Sequence, residues 1–120
     1  MKLNCPHLTT ILMLQVIGSS GAVRFVDVNG TNSVPPYTDW STASTNIQDA
    51  VDAATPGDQV LVSNGVYRNS GRVTDDGTTN RVAVTKAITI QSINGPAVTF
   101  IDGGAVMRCV FLTNGVVLAE

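Results

Sequence analysis

From residue 24 onward the chain alternates short apolar runs with turn residues, a rhythm of strands rather than helices. Residues 24–28 alternate polar and apolar side chains and stop at Asn29-Gly30. The same form recurs at 59–63 before Asn64-Gly65, at 81–85, at 87–91 before Asn94-Gly95-Pro96, at 97–101 before Gly103-Gly104, at 108–112 before Asn114-Gly115, and at 116–119. One segment breaks the period of two. In residues 46–54 the apolar positions Ile47, Ala50, Val51 and Ala54 fall at offsets of three, four and seven, which predicts a short amphipathic helix. Thr45 and Gln48 stand at capping-box spacing, and Pro56-Gly57 ends the helix. A helix of this length is not stable alone in water, so its apolar face must lie on something. Residues 29–45 are rich in Thr, Ser, Asn and Pro without periodicity and read as a surface loop.

Three strands share a phrase in which a β-branched or apolar run leads to Asn-Gly: residues 60–65, 88–95 and 110–115. The interval from Val60 to Ile88 is longer than that from Ile88 to Val110, and the polar, Gly-containing stretch 68–80 accounts for the excess as an insertion. The shorter interval, a period of about 22 residues, suits one coil of a stack of short parallel strands, in which Asn side chains of successive coils bond to one another. The alternative is a meander of antiparallel hairpins, because Asn-Gly also fits the two-residue type I′ turn. A meander gives no reason for the phrase to recur at a coil-like interval.

The run from Thr45 to Tyr67, with its helix, Ala-Ala-Thr-Pro-Gly-Asp, a Val-Leu-Val strand and Asn-Gly-Val-Tyr, resembles the start of pectin-lyase-like parallel β-helix proteins. So do residues 84–92 and 110–115. The resemblance implies an all-β fold: the start of a right-handed parallel β-helix, about three rungs, with a short N-terminal capping α-helix. It implies that helix 46–54 plugs the top of the coil and hides Val60, Leu61 and Val62, with 56–58 as the turn into the first full rung. It also implies an N-terminal portion of a longer protein, since residues 116–120 stop inside a strand and such proteins continue for many coils. For function it is weak, because that superfamily holds polysaccharide lyases, glycoside hydrolases and adhesins alike.

Composition narrows the picture. Charged residues are 13% of the chain and the net charge is −2, with no basic run, so nucleic-acid binding has no electrostatic support. Lys2, the apolar stretch 8–17 and Ser20-Gly21-Ala22 read as a signal peptide over residues 1–22, which leaves 23–120 as cap and rungs and places the protein outside the cell or on its surface. The apolar stretch is about ten residues, half of what a membrane span needs. Cys5 would leave with the leader, and Cys109 is expected as a small buried thiol without a disulfide framework.

Candidate chemistry is sparse. The one histidine, His7, lies in the expected leader, so the mature chain has no histidine for acid–base catalysis or metal binding. Asp75-Asp76-Gly77 resembles the paired carboxylates of glycoside hydrolysis, but adjacent Asp residues in a Gly/Thr-rich loop are more simply turn formers. Arg68, Arg72 and Arg81 flank that loop; they suit uronate carboxylates in a lyase, and salt bridges to Asp75 and Asp76 otherwise. Residues 27–32 carry calcium-friendly oxygens without the spacing of a calcium loop, and read as a plain turn. Asn29-Gly30-Thr31 is an N-glycosylation acceptor pattern in a secreting eukaryote. Tyr37 and Trp40 suit either sugar stacking or covering the apolar top of the coil. The expectation is therefore no catalytic, cofactor-binding or metal residues here and no cofactor. The expected partner is polysaccharide, with self-association through the exposed lower edge, residues 108–119. A non-catalytic adhesin-type β-helix is the alternative to a carbohydrate-active enzyme.

Overall fold

The computed structural model describes the backbone of residues 2–4 and residues 21–119. Within them the protein is all-β with one short helix. The order is β1 (Lys2–Asn4), β2 (Val23–Val26), α1 (Ile47–Ala53), β3 (Gln59–Val62), β4 (Gly65–Tyr67), β5 (Arg72–Val73), β6 (Thr79–Val84), β7 (Thr89–Ser92), β8 (Thr99–Asp102), β9 (Arg108–Leu112) and β10 (Val117–Ala119), with a 3₁₀ turn at Trp40–Thr42.

Among the described residues ten strands form three sheets, ordered β1-β8-β4, β10-β7-β3-β2 and β5-β6-β9. Every pairing of these strands is parallel except β5 with β6, a hairpin. Along the chain β3, β4 and β6 enter three different sheets in turn. Strands β7, β8 and β9 then enter the same three in the same order, each beside its predecessor. The recurring phrase therefore does not mark a single repeat. Val60 pairs with Ile90, Ile90 with Leu118 and Val82 with Val110, so the chain returns to a sheet only after a longer interval than the one from Ile88 to Val110. The phrases at 60–65 and 110–115 lie in different sheets, because the same buried, turn-flanked environment recurs on each and selects similar residues.

Alternation decides what fills the interior. Val60, Ile90 and Leu118 share one register column and are all buried, as are Val62 and, in the next sheet, Val82 and Val84. Leu61 is half-buried, not hidden as expected, since a period of two turns it to the opposite face from Val60 and Val62. Ile47, Ala50, Val51 and Ala54 of the helix side pack into this same core. Tyr37 joins it, and its φ of 61° is a left-handed conformation held by burial. Trp40 stays partly exposed with its ring edge-on to Phe25, centroids 4.7 Å apart.

Two polar side chains attach the helix. The N-cap is Asn46, one residue beyond the expected Thr45: its Oδ1 accepts from Asp49 N (2.8 Å) and its Nδ2 donates to Asp49 Oδ2 (2.8 Å). This reciprocal cap releases Gln48, which is buried and clasps the backbone of β6. Ala83 N donates to Gln48 Oε1 (2.8 Å), and Gln48 Nε2 donates to Ala83 O (3.1 Å). The amide side chain thus occupies the place of a neighbouring strand's peptide group. At the other end the Lys86 ammonium donates to Val51 O (2.8 Å), Asp52 O (3.0 Å) and Ala54 O (2.6 Å). Two of these carbonyls, Asp52 O and Ala54 O, are ones the helix terminus leaves open, Val51 O already accepting from Ala54 N (3.1 Å), and the charge suits the negative end of the helix dipole.

Residues 1–22, the expected leader, fall mostly outside the described residues. Of them, Lys2–Asn4 runs beside β8, and Ala22 accepts from Gln59 N (2.9 Å) while its own N–H donates to Asp58 Oδ1 (2.9 Å). Cys109 is buried and disulfide-bonded, which corrects the expected free thiol; the chain's other cysteine, Cys5, lies outside the described residues. The free-thiol reading depended on the loss of Cys5 with the leader.

Candidate functional site

The stretch expected as a simple projecting insertion, residues 68–80, is partly folded. Strands β5 and β6 pair antiparallel, Arg72 with Asn80 and Val73 with Thr79, and a tight turn joins them. Thr74 N donates to Thr78 O (3.0 Å) and Gly77 N to Thr74 O (2.8 Å), with Gly77 at φ 77°, a conformation that favours glycine. The Asp residues here do form the turn. Asp76 Oδ1 accepts from the Thr74 hydroxyl (2.5 Å) and Thr78 N (3.0 Å), and Asp76 Oδ2 from Arg108 Nη2 (3.2 Å).

Between this hairpin, α1 and the outer face of β6 and β9 lies a groove of about 620 Å³. Val51, Ala83 and Phe111 supply its apolar surface. Asp52, Arg72, Asp75, Asp76 and Lys86 supply charge, and Thr74, Thr85 and Thr113 hydroxyls. The Arg108 guanidinium lies over the Phe111 ring, 5.2 Å from its centroid, and its Nε donates to Asn80 Oδ1 (2.5 Å). Arg72 bridges the hairpin to Asp52 on the helix.

Of the residues singled out from sequence, Arg72, Asp75 and Asp76 meet in this groove; Arg68 and Arg81 do not. Arg68 pairs with Asp102 (2.6 Å), and buried Arg81 donates from Nε to Asp102 O (2.7 Å) and from Nη1 to Ser70 O. The expected bridges to Asp75 and Asp76 are therefore replaced. Asp76 takes Arg108, which parallel pairing of β6 and β9 brings alongside from a distant part of the chain. Sequence reasoning passed over Arg108, Phe111 and Lys86, because each resembled ordinary strand or loop punctuation until register was known.

The electrostatics disfavour acid catalysis by Asp76. The Thr74 hydroxyl first, then Thr78 N–H, and also Arg108 hold its carboxyl well below the usual carboxylate range, so it is ionised at neutral pH. Among the described residues no group of three or more His, Cys, Asp or Glu side chains is placed to hold a metal ion. No helix among them is long and apolar enough to cross a membrane. Residues 27–30 form the expected plain turn: Gly30 N donates to Asp27 O and Asn29 N to Asp27 Oδ1, each 2.9 Å. In comparisons with known proteins, no family model, curated protein or solved structure matches this chain.

Proposed function

We propose that the three sheets are the faces of a right-handed parallel β-helix of the pectin-lyase-like kind, and that the protein, secreted or displayed at the cell surface, binds polysaccharide through the groove beside α1. The order in which successive strands visit the three sheets supports the coil, since a chain winding about an apolar interior returns to each face once per turn. The Asn94 Nδ2 to Asn64 Oδ1 bond (2.8 Å) supports it too, being a contact between equivalent turns of successive rungs.

The observation that carries the binding reading is the groove itself, where an aromatic ring lies among hydroxyls and fixed charges. A sugar offers an apolar ring face and a rim of hydroxyls, and such a surface meets both. Binding is the role assigned here, since Asp76, bonded to Arg108, the Thr74 hydroxyl and Thr78 N, is not free to serve as a general acid. Calorimetric titration with pectin, polygalacturonate and cellulose oligosaccharides tests this. Binding should be weakened roughly tenfold by Phe111→Ala, the loss expected for one aromatic contact of about 1–1.5 kcal/mol. No binding to any of them, or binding indifferent to Phe111, would leave an adhesin-type surface as the better reading. Release of unsaturated products would make the protein a lyase.

Secretion with loss of residues 1–22 belongs to the same proposal: N-terminal sequencing of the exported protein should then begin at Val23. Such a chain, without Cys5 and Ala22, would carry Cys109 as a free thiol and lose the Ala22 N–H bond to Asp58, whereas an exported protein that keeps Cys5 would overturn the cleavage. Self-association through β9 and β10 belongs to the proposal as well. Each lies at the end of its strand order and offers backbone groups that a second chain can pair with. Light scattering of wild type against Val117→Lys should show the variant less associated.

A further inference from the structure

We propose that the β5–β6 hairpin is a strap over the groove that opens at its tip, with the Asp76–Arg108 ion pair as latch and Asn80 as the fixed end. The ligand consequence rests on the binding proposed above; the opening itself does not.

The hairpin is held in two unlike ways. At its base Asn80 is fully buried; its Nδ2 lies within 3.2 Å of Arg72 O, Thr74 Oγ1 and Thr78 O, and its Oδ1 accepts from Arg108. Breaking these bonds without water leaves buried polar groups unpaired, which is costly. From Arg72 to the tip, the hairpin's ties to the rest of the molecule are a long bond from Arg108 Nη2 to Thr74 Oγ1 (3.5 Å) and two exposed ion pairs, one at Arg72 opposite Asn80 and one at Asp76 in the tip. Arg72–Asp52 has side chains 48% and 41% exposed, and Arg108–Asp76 33% and 50%. Exposed pairs contribute little, because water screens the charges and both side chains lose rotamer freedom. Strand β5 is exposed throughout, so no apolar burial supplements the ion pairs. Opening of the tip at residues 75–77 is thus cheap, whereas moving Arg72, Thr74 or Thr78 away also breaks the bonds of buried Asn80 and is not.

The latch is also placed to couple opening to the groove. Arg108 covers the Phe111 ring while it holds Asp76, so a ligand that stacks on that covered face displaces the guanidinium and releases the strap.

Hydrogen exchange on the full chain, read by mass spectrometry and corrected for each sequence's intrinsic rates, tests the opening without any ligand. Asp76→Asn keeps an oxygen for Thr78 N but removes the charge that Arg108 holds. Amides 75–77 should exchange at least several-fold faster in Asp76→Asn than in wild type, and faster in wild type at about 0.5 M than at about 0.02 M sodium chloride, while amides 82–84 do not change. Unchanged exchange at 75–77 in the variant would overturn the latch. Acceleration that spreads equally to 82–84 would overturn the strap, since the sheet would then open as one unit. Either result is independent of whether pectin or any other polysaccharide binds.

Discussion

Helix α1 and the β5–β6 hairpin border the same groove, and each is tied down by polar side chains, yet their attachments differ in kind. Gln48 is 3% exposed and bonds both the N–H and the C=O of one β6 residue, Ala83. The hairpin has a buried amide as well, Asn80, but its Nδ2 joins the hairpin's own two strands, and the ion pairs that tie the hairpin to the rest of the molecule stand in water. A neutral amide in the interior secures its element more firmly than two full charges at the surface, because what matters is the cost of leaving a group unmet. An exposed carboxylate that loses its partner is rehydrated; a buried peptide N–H is not.

The sharpest test of that contrast is Gln48→Ala, which strands Ala83 N–H and C=O together. It should cost about 2–4 kcal/mol in chemical denaturation, two buried groups at about 1–3 kcal/mol each with partial relief from water. Gln48→Glu keeps an acceptor for Ala83 N but turns an oxygen on Ala83 O and Asp52 Oδ1, so it should destabilise as well despite its shape.

Next in size is Lys86→Met, which keeps most of the stem and removes three bonds to the helix C-terminus. A loss of about 1–2 kcal/mol is expected, with increased exchange confined to α1. Equal effects from Gln48→Ala and Lys86→Met would mean that the helix is held mainly by its apolar face.

Acid should act through Asp58, which ties residues 22–24 to the turn after α1. Burial raises its pKa, but the N–H groups of Thr55 and Ala22, the Arg24 charge and the Thr55 hydroxyl outweigh that, and the net shift is downward. A depressed folded-state pKa contributes stability above the unfolded value near about 4, and that contribution is lost as pH falls through the folded value. Melting temperature should therefore be level from pH 7 to about 5 and fall below pH 4, with a shallower fall in Asp58→Asn.

The smallest effect should come from the latch. Asp76→Asn should leave the melting temperature at pH 7 nearly unchanged while altering exchange at 75–77, a separation of local from global opening that Gln48→Ala cannot show. A large drop on Asp76→Asn would erase the contrast between the two attachments.

Much of this was legible in the chain. Residues 108–112 were expected as a strand and are one, and the helix and most other strands fall close to their expected bounds. The Asn64–Asn94 bond follows the expected Asn ladder, but Asn114 stays outside it because its strand belongs to another sheet. Gln48 was expected to cap its own helix; a polar side chain there serves a local or a distant backbone equally well, and spacing along the helix does not distinguish them.

Period and turn chemistry by themselves determined where the helix lies and where most strands fall, because those depend on neighbours close in sequence, but they did not reveal β4 and β5, which lie in stretches that read as turn and loop. Only the tertiary structure decided that Val60 pairs with Ile90 and Val82 with Val110, so that the strands of Ile88 and Val110 belong to different sheets. It alone decided that Arg108 meets Asp76 and that Gln48 meets Ala83. Those choices are made by register between strands distant in sequence. Sliding a strand by one residue reverses every side chain on it, and the burial of Val60, Ile90 and Leu118 in one column selects the register that the local pattern leaves open.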